Sequence, residues 1–164
     1  MPNNLIKHDK IEATNEGGFT VTVNAYLNFN GNCREAVEYY ASVFETPEPD
    51  IMKFGDMPPD PEFDMSEETK ELVMHVSLPI HDSYLMFSDS MPGQPVTFGK
   101  NISLTVVTDE LEKMKAEFNK LSEEGKVIMP IDKTFWSPAY GMLEDRFGVV
   151  WQFMYDDGSM MADS

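Results

Sequence analysis

The spacing of apolar residues changes several times along the chain, and each change marks an element. Thr20 to Phe29, TVTVNAYLNF, sets Ala25, Leu27 and Phe29 against Asn24, Tyr26 and Asn28. Alternation at a period of two predicts a strand with one apolar and one polar face. Asn30-Gly31 turns the chain, and Asn32 with Glu35 makes a capping-box pattern. Val37, Tyr40, Ala41 and Phe44 follow at i, i+3, i+4, i+7, the period of an amphipathic helix, which Pro47 and Pro49 stop. Asp50 to Phe54 reads as a short strand. Residues 55–71 are acidic and proline-rich and read as a loop, either a mobile lid or a plain insertion. Val73 to Leu78 and Ser83 to Ser88 read as two strands joined through Pro79 to Asp82.

Residues 91–99, MPGQPVTFG, read as a linker, and beyond it the pattern starts again. Asn101 to Val106 repeats the alternation of Asn24 to Phe29. A helix follows, with Thr108 as its cap, Asp109 and Glu110 in its first turn, Leu111, Met114, Phe118 and Leu121 as its stripe, and Gly125 as its stop. Val127 to Ile131, the Trp136 to Met142 region and Val149 to Tyr155 read as three further strands. The order strand, helix, three strands therefore occurs twice, a duplication visible in pattern rather than in identity. The expected organisation is one α+β domain over residues 20–156, with modules at 20–92 and 98–156. Residues 1–19 read as a flexible extension and 157–164 as a disordered tail.

The last two strands flank a Glu-Asp-Arg-Phe-Gly turn in which Gly148 can take the positive φ of a tight reversal and Asp145 caps it. Trp136, Tyr140-Gly141-Met142, Asp145, Phe147-Gly148 and Trp151 resemble the closing hairpin of PhnB-like proteins. These belong to the vicinal-oxygen-chelate superfamily of glyoxalases, bleomycin-resistance proteins and dioxygenases. The resemblance covers roughly Tyr26 to Tyr155. It implies two βαβββ modules forming a curved, cup-like mixed sheet with helices on the outer face, in chains that commonly form homodimers.

Composition narrows the partners. A net charge of −17 disfavours nucleic acid and anionic membranes, both of which repel it. No apolar run approaches the roughly eighteen residues of a membrane span, and the first residues have no secretory core, so a cytoplasmic protein is expected. The single cysteine, Cys33, fits a reducing compartment and excludes an internal disulfide. Cys33 opens a helix with only Arg34 as a basic neighbour and reads as an inert thiol.

The parity of each strand separates a helix-facing set (Leu27, Phe29, Leu85, Phe87, Ile102, Leu104, Val106) from a more polar set lining the cup. That second set contains Asn24, Tyr26, His75, Met86, Asn101 and Gln152. Trp136 and Tyr140 join it as walls for a planar ligand, while Trp151 has core parity. His75 is the candidate acid or base, against the alternative of a buried, hydrogen-bonded histidine. His81, in its Pro-Ile-His-Asp-Ser turn, reads as solvated. In metal-using members that the resemblance points to, four His or carboxylate ligands occupy places that fall here near Asn24, Met86, Asn101 and Gln152. Neutral amides and a thioether suit a divalent ion poorly, so no metal and no cofactor are expected. No phosphate-cradling glycine loop, nucleophile elbow or zinc-type cysteine spacing is present. The expected function is small-molecule binding in the cup. A metal-dependent lyase, isomerase or dioxygenase is the alternative, as is a drug-sequestering protein whose acidic cup would take a cation.

Overall fold

The computed structural model describes residues 23–60 and 64–158. Its elements run β1 (Tyr26–Phe29), α1 (Cys33–Val43), β2 (Met52–Lys53), a 3-10 turn (Phe54–Asp56), α2 (Glu67–Glu71), β3 (Val73–Ile80) and β4 (Ser83–Asp89). After the 90–103 connection come β5 (Leu104–Thr108), α3 (Leu111–Ser122), β6 (Lys126–Asp132), β7 (Ala139–Glu144) and β8 (Val150–Tyr155). The strands form two four-stranded mixed sheets, ordered β1-β4-β3-β2 and β5-β8-β7-β6. In each, the first strand runs parallel to the last and the others pair antiparallel. The duplication expected from the sequence is thus repeated in topology, and the class is α+β. No helix among the described residues is long and apolar enough to cross a membrane.

Apolar parity decides which sheet face meets the helices. Leu27, Phe29, Leu85, Phe87, Leu104 and Val106 join one continuous cluster with Val37, Tyr40 and Ala41 of α1 and Met114, Phe118 and Leu121 of α3. Trp151 and Phe153 of β8 lie inside it, fully buried. Gly141 is needed here because β7 passes close to α3: a Cβ would stand 2.8 Å from Phe118 Cε2 and 2.7 Å from Ile131 Cγ1. Gly141→Ala is expected to lower stability by about 1–3 kcal/mol through overpacking, read as a lower urea midpoint. A midpoint unchanged from wild type would mean that β7 has room to retreat.

Several boundaries depart from the sequence reading. The first strand was expected from Thr20 but begins at Tyr26, and residues 20–22 lie outside the described residues. The Asp50–Phe54 strand shrinks to Met52–Lys53 before the 3-10 turn. The 55–71 loop contains α2, whose start is capped by Ser66 Oγ accepting from the Thr69 amide at 3.2 Å. The fifth strand begins at Leu104 rather than Asn101, so Ile102 escapes strand parity and is 73% exposed instead of facing a helix. Trp136 lies ahead of β7, not within it.

The expected capping box at α1 is also absent. Asn32 makes no side-chain cap bond. Asp89, at the end of β4, does that work through space, its Oδ1 accepting from the Gly31 and Cys33 amides at 2.9 and 3.0 Å. Its Oδ2 takes the Val73 amide at 2.9 Å. At the start of α3, Thr108 Oγ1 accepts from the Glu110 amide at 3.0 Å, and Glu110 holds the N-cap position.

Candidate functional site

β1 and β5 are edge strands of their respective sheets. Between β1 on one side and residues 97–104 with 148–150 on the other lies a cleft of about 640 Å³. Leu27, Phe98, Ile102, Leu104 and Val149 form its apolar walls, and Asn24, Asn28, Asn101 and Ser103 bring amides and a hydroxyl to it. The loop before β5 reaches this position because Asn30 clamps it. Its side-chain oxygen accepts from the Val96 amide at 2.9 Å and its side-chain nitrogen donates to the Val96 carbonyl at 3.0 Å. Phe98 packs edge-on against Phe29 with ring centres 6.0 Å apart. On the same side as this loop, Gly148 takes φ +82° to close the turn, with its amide bonded to the Asp145 carbonyl at 3.0 Å.

Three of the eight sequence-derived site residues, Asn24, Tyr26 and Asn101, line this cleft. The others extend from it in two directions. Tyr26 Oη lies 3.2 Å from His75 Nδ1, their ring centres 5.9 Å apart, and Met86 stands across the ladder from Tyr26. In the second module, Tyr140 Oη donates to Gln152 Oε1 at 2.7 Å and Gln152 Nε2 donates to Ser103 Oγ at 2.6 Å. Trp136 packs edge-on to Tyr140 at 5.4 Å. Tyr26 and Ser103 therefore link the cleft to a His75 arm and to a Gln152–Tyr140–Trp136 arm.

The places near which the resemblance puts a metal carry no imidazole and no carboxylate. At Gln152 both ends of the amide are engaged by Tyr140 and Ser103, and Met86 offers a thioether. This donor set does not fit a hard or borderline divalent ion, which needs anionic or imidazole ligands. Among the described residues, no three His, Cys, Asp or Glu side chains gather in a metal-binding group.

Behind the sheets, polar groups join the two modules. Asp145 is 4% exposed, and its Oδ2 accepts from Tyr40 Oη of α1 at 2.7 Å and from Trp151 Nε1 at 2.8 Å. Its Oδ1 accepts from the Phe147 and Val149 amides at 2.9 and 3.0 Å. Burial pushes its pKa above the ordinary aspartate range, and these four donors pull against that. The two amide bonds match the turn-capping role read from the sequence; Tyr40 and Trp151 have no sequence signal. Arg146 sits over the Tyr39 and Phe147 rings and pairs with Glu35 and Glu124, at 2.7 and 2.6 Å.

His81 is solvent-exposed, as expected for its turn, but its ring is also engaged on one side. At φ 51°, its ring packs edge-on to Phe44, and its Nε2 lies 3.1 Å from Oε2 of Glu117, which is 3% exposed. Burial raises the Glu117 pKa, and His81 opposes the rise. Cys33 is fully buried, and desolvation lifts its thiol pKa far above the ordinary cysteine range, as an inert thiol requires.

The model of a family described as 3-demethylubiquinone-9 3-methyltransferase matches residues 21–154. The chain belongs to that family. It is 34% identical to protein PA1353 of Pseudomonas aeruginosa, whose crystal structure superposes with a TM-score of 0.73 over 84% of this chain and 98% of that one. It is 26% identical to a putative 3-demethylubiquinone-9 3-methyltransferase, the PhnB protein of Bacillus cereus, with a TM-score of 0.63 over 83% of this chain and 100% of that one. A glyoxylase/bleomycin resistance protein/dioxygenase domain from Frankia is 8% identical, with a TM-score of 0.59 over 84% and 98% of the two chains, a likeness of fold alone. The family member described here is thus PhnB-like and has the vicinal-oxygen-chelate fold that its closing hairpin resembles.

Proposed function

We propose that this PhnB-like chain binds a small organic molecule in the cleft between its modules, without a divalent metal. The cleft carries the reading. Its 640 Å³ falls in the size range of ligand sites, and its walls pair apolar surface with a few convergent polar groups. The donor chemistry at Asn24, Met86, Asn101 and Gln152 supports the metal-free part. Methyl transfer, named in the family description, calls for a bound methyl donor. The sequence has no nucleotide-binding glycine motif to hold a nucleoside-type donor, which favours binding over transfer.

Two measurements test the proposal. Protein purified without chelator is expected to lose metal on dialysis; near-stoichiometric zinc, nickel, manganese or iron that persists would sink the metal-free reading. A thermal-shift screen against a diverse set of drug-sized compounds is expected to return stabilisers whose effect disappears in Ile102→Arg. That side chain is exposed in the cleft and tolerates a charge without disturbing the core. Compounds that stabilise both proteins equally would place the site elsewhere.

A further inference from the structure

Charged residues make up 25% of the chain, so sixteen residues drawn evenly would include about four of them. The sixteen lining the cleft, all described, include none: no Asp, Glu, Lys, Arg or His. This is not the usual exclusion of charge from a core, because the walls are open to solvent, with Ile102 73% and Phe98 46% exposed. Elsewhere on the surface, charge does collect in hollows. Another cavity, of about 550 Å³, is lined by His81, Asp82, Asp109, Glu110, Lys113 and Asp156. The charged residue inside the loop forming the cleft wall, Lys100, turns to Glu144 and pairs with it at 3.0 Å.

From this distribution we infer that the ligand class of the cleft is an uncharged molecule, with an apolar body and amide- or hydroxyl-type groups on its edge. The inference rests on the cleft being the binding site and adds the selectivity. A charged ligand entering this cleft gives up part of its hydration and meets no opposite charge among the described residues that line it. A neutral one gives up less, and a side-chain amide such as that of Asn101 has donor and acceptor ends that suit a carbonyl, an amide or a hydroxyl, while at Asn28 the oxygen already accepts from Ser88 Oγ at 3.1 Å. The net charge of −17 acts differently: it repels anions and attracts cations at long range, but salt screens it beyond roughly 8 Å at physiological ionic strength. The acidic surface therefore does not make the cleft a cation site, as a drug-sequestering reading would require.

Three probes of nearly the same shape separate these terms: 2-naphthamide, 2-naphthamidinium and 2-naphthoate. Binding to the full-length chain would be followed by amide and side-chain amide NMR shifts at Asn24, Asn28 and Asn101. The neutral amide is expected to bind at least about tenfold more tightly than either ion, a difference of about 1.4 kcal/mol. The preference over the cation is expected to persist as salt rises from about 0.01 to 1 M, where the Debye length falls from about 30 to 3 Å. Asn101→Asp, an exposed change that leaves the core alone, is expected to reverse the order of amide and amidinium. Naphthamidinium or naphthoate matching the amide at these resonances would overturn the inference while leaving the cleft a binding site. If no probe shifts the cleft resonances, the binding reading falls as well. An unchanged preference in Asn101→Asp would also count against the charge argument.

Discussion

Asp145→Ala is expected to destabilise the protein by about 3–5 kcal/mol. The substitution orphans Tyr40 Oη and Trp151 Nε1 inside the core, and each buried donor left unpaired costs about 1–3 kcal/mol. It also releases the Phe147 and Val149 amides at the turn. Tyr40→Phe removes one donor and is expected to cost less, about 1.5–3 kcal/mol for a bond to a charged acceptor. Equilibrium urea unfolding of the two single variants and the double variant gives the decisive number. Residues bonded to each other couple by about 0.5–3 kcal/mol, so strictly additive costs would mean that Tyr40 and Asp145 do not interact as described.

The second large effect is expected at Asp89. Asp89→Ala takes a carboxylate partner from three backbone amides, two of which, those of Cys33 and Val73, bond to it in the buried interior. A lost helix cap costs about 0.5–2 kcal/mol, and the buried Val73 amide adds its own desolvation penalty, so about 2–4 kcal/mol is expected. Asn32→Ala is the informative companion, because the sequence pattern makes Asn32 the cap and the structure does not. It is expected to change the unfolding midpoint little. Hydrogen exchange at Cys33 and Val73 is expected to accelerate in Asp89→Ala and stay slow in Asn32→Ala. The reverse order of effects would return the capping role to Asn32.

These two carboxylates also show where sequence reasoning stops. Strand parity and helix period were readable at Leu27, Phe29, Phe87, Phe118 and Trp151, because burial on one face imposes a local period. The duplication was readable for the same reason. Asp89 and Tyr40 act across long separations in the chain, so no window of neighbouring residues contains the bond. Asn32 and Glu35 satisfy a local rule that the fold overrides. Ile102 departs from its alternation because β5 starts at Leu104, two residues beyond it, and Phe98 sits in a stretch whose sequence reads as a linker. At the site, Asn24, Tyr26 and Asn101 line one cleft, but Leu27, Ile102 and Leu104 of the opposite parity line it too, so alternation alone does not define it. The linkage of Gln152 to Tyr140 and Ser103 depends on which hydroxyls the ladder brings within reach, which needs the register itself.

The Tyr40–Asp145–Trp151 cluster bears on how the two halves live together. A chain built of one motif repeated might be expected to come apart into two units, each folding on its own. Here the first helix hides its tyrosine hydroxyl on a carboxylate supplied by the last hairpin, and the indole beside it belongs to the second half. Cutting the chain at residues 91–99 would expose those groups on both fragments. The two copies are therefore expected to unfold in one transition, because a buried hydroxyl of the first finds its carboxylate acceptor in the second.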